Sequence, residues 1–149
     1  METKNLPPLE VLIVEDELSI RSLLRRVIKD TDVGATANIT EAADGQDGID
    51  NYFGRIQSGL GYFHLVISDI RMPGINGVGL LKRIKESGHP SMVYMISAYA
   101  DSKLIQEMRE LAPDGFFTKP FKISDIEEAL NTADLYRKAF RQPKDTSQS

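Results

Sequence analysis

Short runs of apolar and mostly β-branched residues recur along the chain, and they predict five β-strands. Three of the runs, at 9–14, 64–68 and 92–96, are apolar almost without interruption. Such continuity is typical of parallel strands that helices cover on both faces, because half-exposed strands alternate apolar and polar residues. Runs at 37–42 and 116–118 complete the predicted set.

Between these runs, apolar residues recur at every third or fourth position, which predicts amphipathic helices. The stripes lie within 20–28, 49–56, 80–84 and 104–112. A fifth helix is predicted to begin at Ser124, which has the spacing of a capping box with Glu127, and to run to about Phe140. Strand and helix thus alternate five times, which predicts one doubly wound α/β domain with a five-stranded parallel sheet.

Polar stretches mark the predicted loops and ends of this domain. Residues 29–38 and 51–63 are predicted to form long surface loops, the second because it contains several glycines. The domain is expected to span 9–140, after an N-terminal extension at 1–8. Residues 141–149 have no apolar periodicity and are predicted to be a tail or the start of a linker.

Composition removes several classes of function. The chain of 149 residues has 18 basic and 22 acidic side chains, a net charge of −4, which argues against a nucleic-acid-binding surface. It has no cysteine, so disulfide and thiol chemistry are excluded. No apolar run approaches the roughly 20 residues of a membrane helix, and no secretory signal opens the chain. A cytoplasmic protein without a membrane partner is therefore expected.

Polar residues follow the predicted strands where each one ends. The acidic run 15–17 follows the first strand, Asp69 the third, Ser97 the fourth and Lys119 the fifth. Each has an ordinary explanation alone, since acids often begin helices and a lysine is usually a surface residue. In a doubly wound sheet, however, ligands bind beyond the carboxyl ends of the strands, where these side chains would converge.

Three converging carboxylates need a cation, because like charges repel and an unpaired buried charge is costly. The candidate ligands Glu15, Asp16 and Asp69 are all oxygen donors, and neither His64 nor His89 lies at a strand end. Mg²⁺ is therefore expected as cofactor, with Mn²⁺ as a substitute, rather than zinc. With a lysine and a hydroxyl nearby, the site would receive a phosphoryl group on Asp69.

The same residues resemble the receiver domain of two-component response regulators over roughly 9–140. The matching motifs are Val-Leu-Ile-Val-Glu-Asp-Glu at 11–17, Ser-Asp-Ile-Arg-Met-Pro-Gly-Ile-Asn-Gly at 68–77, Ser-Ala at 97–98 and Lys-Pro-Phe at 119–121. The resemblance implies the flavodoxin-like strand order 2-1-3-4-5 with helices on both faces. It also implies a phosphorelay switch that catalyses only its own phosphorylation and dephosphorylation.

The resemblance assigns a role to each residue of the acidic pocket. Asp69 would be the phosphoacceptor and, with Asp16, a direct Mg²⁺ ligand. Glu15 would hold metal-bound water, and Arg71 would ligate through its backbone carbonyl. The Lys119–Pro120 bond is predicted to be cis, because the ammonium must turn back into the pocket at the end of the strand.

Other roles concern the conformational switch and the mouth of the site. Ser97 and Lys119 would each bind a phosphoryl oxygen, and Phe116 would rotate inward when Ser97 moves toward phosphate. Arg71 and Tyr99 would stand at the mouth. The implied partners are a histidine kinase or histidine phosphotransfer protein and, through the helix 4/strand 5/helix 5 face, a protein target or a second copy.

Alternatives remain. An Asp-x-Asp phosphohydrolase would use Asp30 and Asp32, but this pair follows a predicted helix rather than a strand. A flavin-binding module would need a first loop that binds phosphate. The acidic run 15–17 forms this loop instead and would repel a phosphate that lacks a metal. The chain could also be a receiver-like scaffold that is not phosphorylated, or the N-terminal fragment of a longer DNA-binding regulator.

Overall fold

Five parallel strands form the centre of the molecule, as predicted. The computed structural model describes residues 6–98 and 102–139. The strands pair in the order β2-β1-β3-β4-β5, which is the order that the family resemblance implied. Each predicted strand agrees with the structure to within one residue at either end. The strands are β1 Glu10–Val14, β2 Asn38–Ala42, β3 Leu65–Asp69, β4 Met92–Ser97 and β5 Gly115–Thr118.

Helices cover both faces of the sheet, so the predicted doubly wound fold is confirmed. The helices are α1 Leu18–Lys29, α2 Gly45–Gln57, α3 Gly77–Ser87, α4 Ser102–Glu110 and α5 Ile123–Ala139. Alternate residues of β1 face opposite cores: Leu12 packs with α2, α3 and α4, whereas Ile13 packs with α1 and α5. In the described part of the chain, no helix has the length and apolar character needed to cross a bilayer.

Two predicted loops differ from the structure. Gly54 lies inside α2, which continues to Gln57, because the apolar stripe of that helix outweighs the helix-breaking tendency of one glycine. The stretch 29–38 is not a plain surface loop, since it contains a 3₁₀ turn at Gly34–Thr36 and buries Thr31. The hydroxyl of Thr31 accepts a hydrogen bond from the Gly34 N–H, which folds this stretch against α1.

The predicted capping box of the last helix is also wrong. Helix α5 begins at Ile123, so Ser124 lies inside it. Instead, the Asp125 carboxylate accepts a hydrogen bond from the backbone N–H of Lys122, at 3.0 Å, and an acid is favourable in a first helical turn. The predicted end near Phe140 lies outside the described residues, as does 141–149.

Candidate functional site

The carboxyl ends of β1, β3 and β5 bring the predicted acidic residues and the lysine together. Carboxylate oxygens of Glu15, Asp16 and Asp69 all lie within 4.8 Å of one another. The Lys119 Nζ lies 2.9 Å from Asp69 Oδ2 and 2.9 Å from Glu15 Oε1. Four side chains that are up to 104 positions apart in sequence (119 − 15) thus form one charged pocket.

Glu15 is the buried member of this pocket, with no exposed surface, whereas Asp16 is exposed. Oε2 of Glu15 accepts a hydrogen bond from the Glu17 N–H at 3.0 Å. Its Oε1 has Lys119 as a charge partner but receives no well-directed hydrogen bond from the described residues. Burial raises the pKa of Glu15 to about 6, although the hydrogen bond from the Glu17 N–H and the nearby Lys119 ammonium oppose the rise.

Asp69 ends β3 and is held at the edge of the sheet by close backbone packing. The first residue of α3, Gly77, approaches so closely that an added Cβ would lie 2.0 Å from the carbonyl oxygen of Asp69. The Gly77 N–H donates to the carbonyl of Ile70 at 2.8 Å. The Arg71 N–H faces Asp69 Oδ1 at 3.3 Å, so the loop after β3 also restrains the carboxylate.

Lys119 reaches the pocket from the end of β5. Its backbone N–H donates to the carbonyl of Ser97 at 2.8 Å, and the Lys119–Pro120 bond is cis, as predicted. Burial alone would lower the pKa of Lys119, but the close contacts of its ammonium with the Glu15 and Asp69 carboxylates raise it above its ordinary value. The ammonium therefore stays charged and offsets part of the carboxylate charge.

The other predicted site residues lie around this pocket. Ser97 ends β4 and is 2% exposed. Phe116 lies in β5, half-buried, and packs against the core beneath α2, α3 and α4. The Arg71 side chain is exposed. Tyr99 lies outside the described residues.

Two residues near the pocket, Glu17 and Arg21, had no role in the predicted site. The Glu17 carboxylate, although 64% exposed, lies 3.8 Å from Lys119 Nζ. The Arg21 guanidinium donates to the backbone carbonyl of Glu15 at 2.7 Å. The four-residue spacing between Glu17 and Arg21 was a signal of one helical turn, but no sequence pattern shows that a guanidinium turns back to a carbonyl.

Most of the chain, from the first strand into the last helix, matches one known family. The family model described as the response regulator receiver domain matches residues 11–131. The chain belongs to this family. Receiver domains are in general signalling switches rather than enzymes, and they act in two-component systems.

Relatives and solved structures agree with this assignment. Sporulation initiation phosphotransferase F of Bacillus subtilis is 31% identical over 121 residues, which cover 81% of this chain and 90% of that protein. The probable chemotaxis protein CheY of Rhizobium etli is 32% identical over 124 residues, covering 82% and 89%. The CheX-CheY-BeF₃-Mg complex of Borrelia burgdorferi has a matching chain with a TM-score of 0.70 and 25% identity, covering 87% and 90%.

The pocket of this receiver domain fits a magnesium ion on its own chemistry. Receiver domains bind Mg²⁺ at an acidic pocket, and here three carboxylates share that place. All three are hard oxygen donors, which suit Mg²⁺. Three carboxylates against one nearby ammonium also leave an excess of negative charge that a divalent cation would neutralise.

Proposed function

We propose that this receiver domain is a phosphoacceptor switch in which Asp69 takes a phosphoryl group from a histidine kinase or a histidine phosphotransfer protein. One observation carries the proposal: Lys119 Nζ lies 2.9 Å from Asp69 Oδ2, within a cluster of carboxylates at the carboxyl edge of the sheet. An ammonium in that position suits the oxygens of a group bound to Asp69.

The proposed transfer moves one phosphoryl group without any other reactant. An Asp69 oxygen attacks phosphorus and forms a P–O bond, while the P–N bond breaks and its electron pair returns to the donor imidazole. Lys119 and the Ser97 hydroxyl would then each donate a hydrogen bond to a phosphoryl oxygen.

The metal would occupy the same pocket. Mg²⁺, or Mn²⁺ in its place, would be held directly by Asp16, Asp69 and the backbone carbonyl of Arg71. Glu15 would hold it through a water molecule. A bound cation would neutralise part of the negative charge on the phosphoryl group during transfer. In the reaction, Lys119 would stay protonated and orient the phosphoryl oxygens.

The readout would be a shift between two conformations. Ser97 would move toward the phosphoryl group and Phe116 would rotate inward, because phosphate favours the inward state by its extra contacts. This would change the surface of α4, β5 and α5, where a protein target or a second copy would dock. With beryllofluoride and Mg²⁺, amide shifts at Phe116 and along 104–111 should change. Unchanged shifts would contradict the switch.

The proposed function is tested by phosphorylation with acetyl phosphate. With Mg²⁺, the protein should gain the mass of one phosphoryl group, and with a chelator it should gain none. Asp69→Asn should gain none either. Asp32→Asn is the matched control, because Asp32 is an exposed carboxylate beyond α1 and belongs to the rival Asp-x-Asp pair. Labelling of Asp69→Asn at the wild-type rate would overturn the proposal.

Placement in the cytoplasm and the domain limits at 9 and 140 stay predictions from the sequence. The proposal concerns the receiver domain alone.

A further inference from the structure

The acidic loop, residues 15–17 between β1 and α1, is held in place by hydrogen bonds to the backbone N–H and carbonyl of Glu15. The Glu15 N–H donates to the carbonyl of Ala42 at the end of β2, at 3.1 Å. The Glu15 carbonyl accepts from Nη1 of Arg21 at 2.7 Å. The Arg21 side chain is 15% exposed, so this charge-assisted bond is partly shielded from water.

Arg21 is itself fixed in place by two further contacts. Its Nε donates to Oε1 of Glu41 in β2 at 3.0 Å. Its backbone N–H donates to the carbonyl of Glu17 at 3.0 Å, where α1 begins. A guanidinium is planar and rigid, so its orientation toward Glu41 also sets its orientation toward the carbonyl of Glu15. Arg21 thus links the end of β2, the start of α1 and the acidic loop.

We infer that Arg21 is a positioning residue for the acidic pocket: by binding the Glu15 carbonyl while held by Glu41, it keeps the loop aligned for a divalent cation. This deepens the proposed function and rests on it for the identity of that cation. Two effects of Arg21 oppose each other. Its positive charge repels a bound cation, whereas its hydrogen bond orders the carboxylates that would bind one. Ordering is expected to prevail, because the bond from Arg21 to the Glu15 carbonyl is short and partly buried.

Arg25 supplies a matched control. It lies one helical turn further along α1 and hydrogen-bonds to the other carboxylate oxygen of Glu41. Its second bond goes to the carbonyl of Ile39, at 3.1 Å, and not to the acidic loop. Removing Arg25 therefore takes away one positive charge and one partner of Glu41, as removing Arg21 does, but leaves the Glu15 carbonyl bound.

The test is a Mg²⁺ titration of the whole protein, monitored through the amide NMR signals of residues 15–17 and 69. Arg21→Gln should bind Mg²⁺ about tenfold more weakly, the usual effect of removing a residue that orients metal ligands. In the metal-free protein, the Glu17 amide proton should also lose the downfield shift caused by its bond to Glu15. Arg25→Gln should keep the wild-type affinity or bind slightly more tightly, and should keep that shift.

A second variant keeps the charge but not the planar fork. Arg21→Lys cannot bind Glu41 and the Glu15 carbonyl in the same way, so it should also weaken Mg²⁺ binding. Wild-type affinity in Arg21→Lys or Arg21→Gln, or equal changes in Arg21→Gln and Arg25→Gln, would overturn the positioning role. Neither readout needs phosphorylation, so a failure of Asp69 to accept a phosphoryl group would reject the proposed function without deciding this test.

Discussion

The two ends of β1 each carry a buried glutamate, and their surroundings differ. Glu10 begins the strand and is 8% exposed. Its Oε2 accepts a hydrogen bond from Asn38 at 2.9 Å, and its Oε1 lies 3.6 Å from Nη1 of Arg55. Glu15 follows the strand and shares Lys119 with Asp69. At the first end, the buried Glu10 therefore has polar and cationic partners of its own. At the other end, several carboxylates share one ammonium.

This difference separates a structural carboxylate from one poised to bind a ligand. Buried acids that serve stability have polar or cationic partners of their own, as Glu10 has in Asn38 and Arg55. At the carboxyl end, burial raises the pKa of Glu15 to about 6, so ionised Glu15 costs stability until a cation arrives. The pocket is therefore expected to weaken the metal-free fold that contains it.

The largest expected effect concerns two helical glycines. Gly77→Ala would place a Cβ 2.0 Å from the Asp69 carbonyl oxygen, a backbone atom that cannot move without shifting β3. The free energy of unfolding should fall by about 3 kcal/mol or more. Gly54→Ala is the matched control in α2, where the Cβ meets nothing within 4 Å. It should stabilise by about 0.5–1 kcal/mol. Urea unfolding of both variants measures the contrast, and equal effects would contradict it.

The two glutamates themselves should respond with opposite signs to the same substitution. Glu15→Gln should stabilise the metal-free protein by about 1–2 kcal/mol at pH 7, because it removes a carboxylate whose pKa rises from 4.5 to about 6. Glu10→Gln should destabilise by about 1 kcal/mol, because Arg55 and Asn38 lose an ionised partner. Destabilisation by both substitutions, measured in urea without Mg²⁺, would remove the distinction between the two ends.

The advantage of Glu15→Gln should depend on pH. An acid whose pKa is raised by folding binds its proton more tightly in the folded state, so its contribution to stability falls as pH rises from about 4.5 through about 6. Lowering the pH from 7.5 to 5 should therefore bring wild type and Glu15→Gln closer together by about 1 kcal/mol. Unfolding in urea with a chelator at both pH values measures the gap. A gap that does not change would show that Glu15 keeps an ordinary pKa.

The smallest expected effect concerns the mouth of the pocket and the lifetime of the phosphorylated state. Loss of the phosphoryl group needs a water in line with phosphorus, and Arg71 and Tyr99, if at the mouth as the family resemblance implies, should exclude it by their bulk. Arg71 carries a charge that would also stabilise the transition state, but Mg²⁺ and Lys119 would already neutralise those oxygens. The double variant Arg71→Asn with Tyr99→Glu should lose label several-fold faster, on the order of 1 kcal/mol in the barrier. Equal or slower loss, with Mg²⁺ saturating and donor removed, would contradict shielding.

The sheet and the pocket could be predicted from the sequence because both follow from local patterns. Continuous apolar runs predicted the strands, and the residue that ends each strand predicted which side chains meet. Prediction failed where local patterns competed or where tertiary contacts decide. At Gly54 two local patterns competed, since the predicted loop at 51–63 overlapped the predicted helical stripe at 49–56, and the stripe was right. Ser124 was predicted to cap the last helix, but the Asp125 carboxylate accepts the hydrogen bond from the Lys122 N–H instead. The contact of Arg21 with the Glu15 carbonyl depends on the packing of α1 on the sheet, which no local pattern encodes.

The most direct test of the central claim is to identify the carboxylate that carries the phosphoryl group. Protein phosphorylated by acetyl phosphate with Mg²⁺ is treated with borohydride, which reduces an acyl phosphate to an alcohol and so marks the modified residue. Peptide mass spectrometry should find homoserine at position 69 and unmodified acids at Glu15, Asp16 and Asp32. Reduction at any of those three positions, with Asp69 intact, would contradict the account.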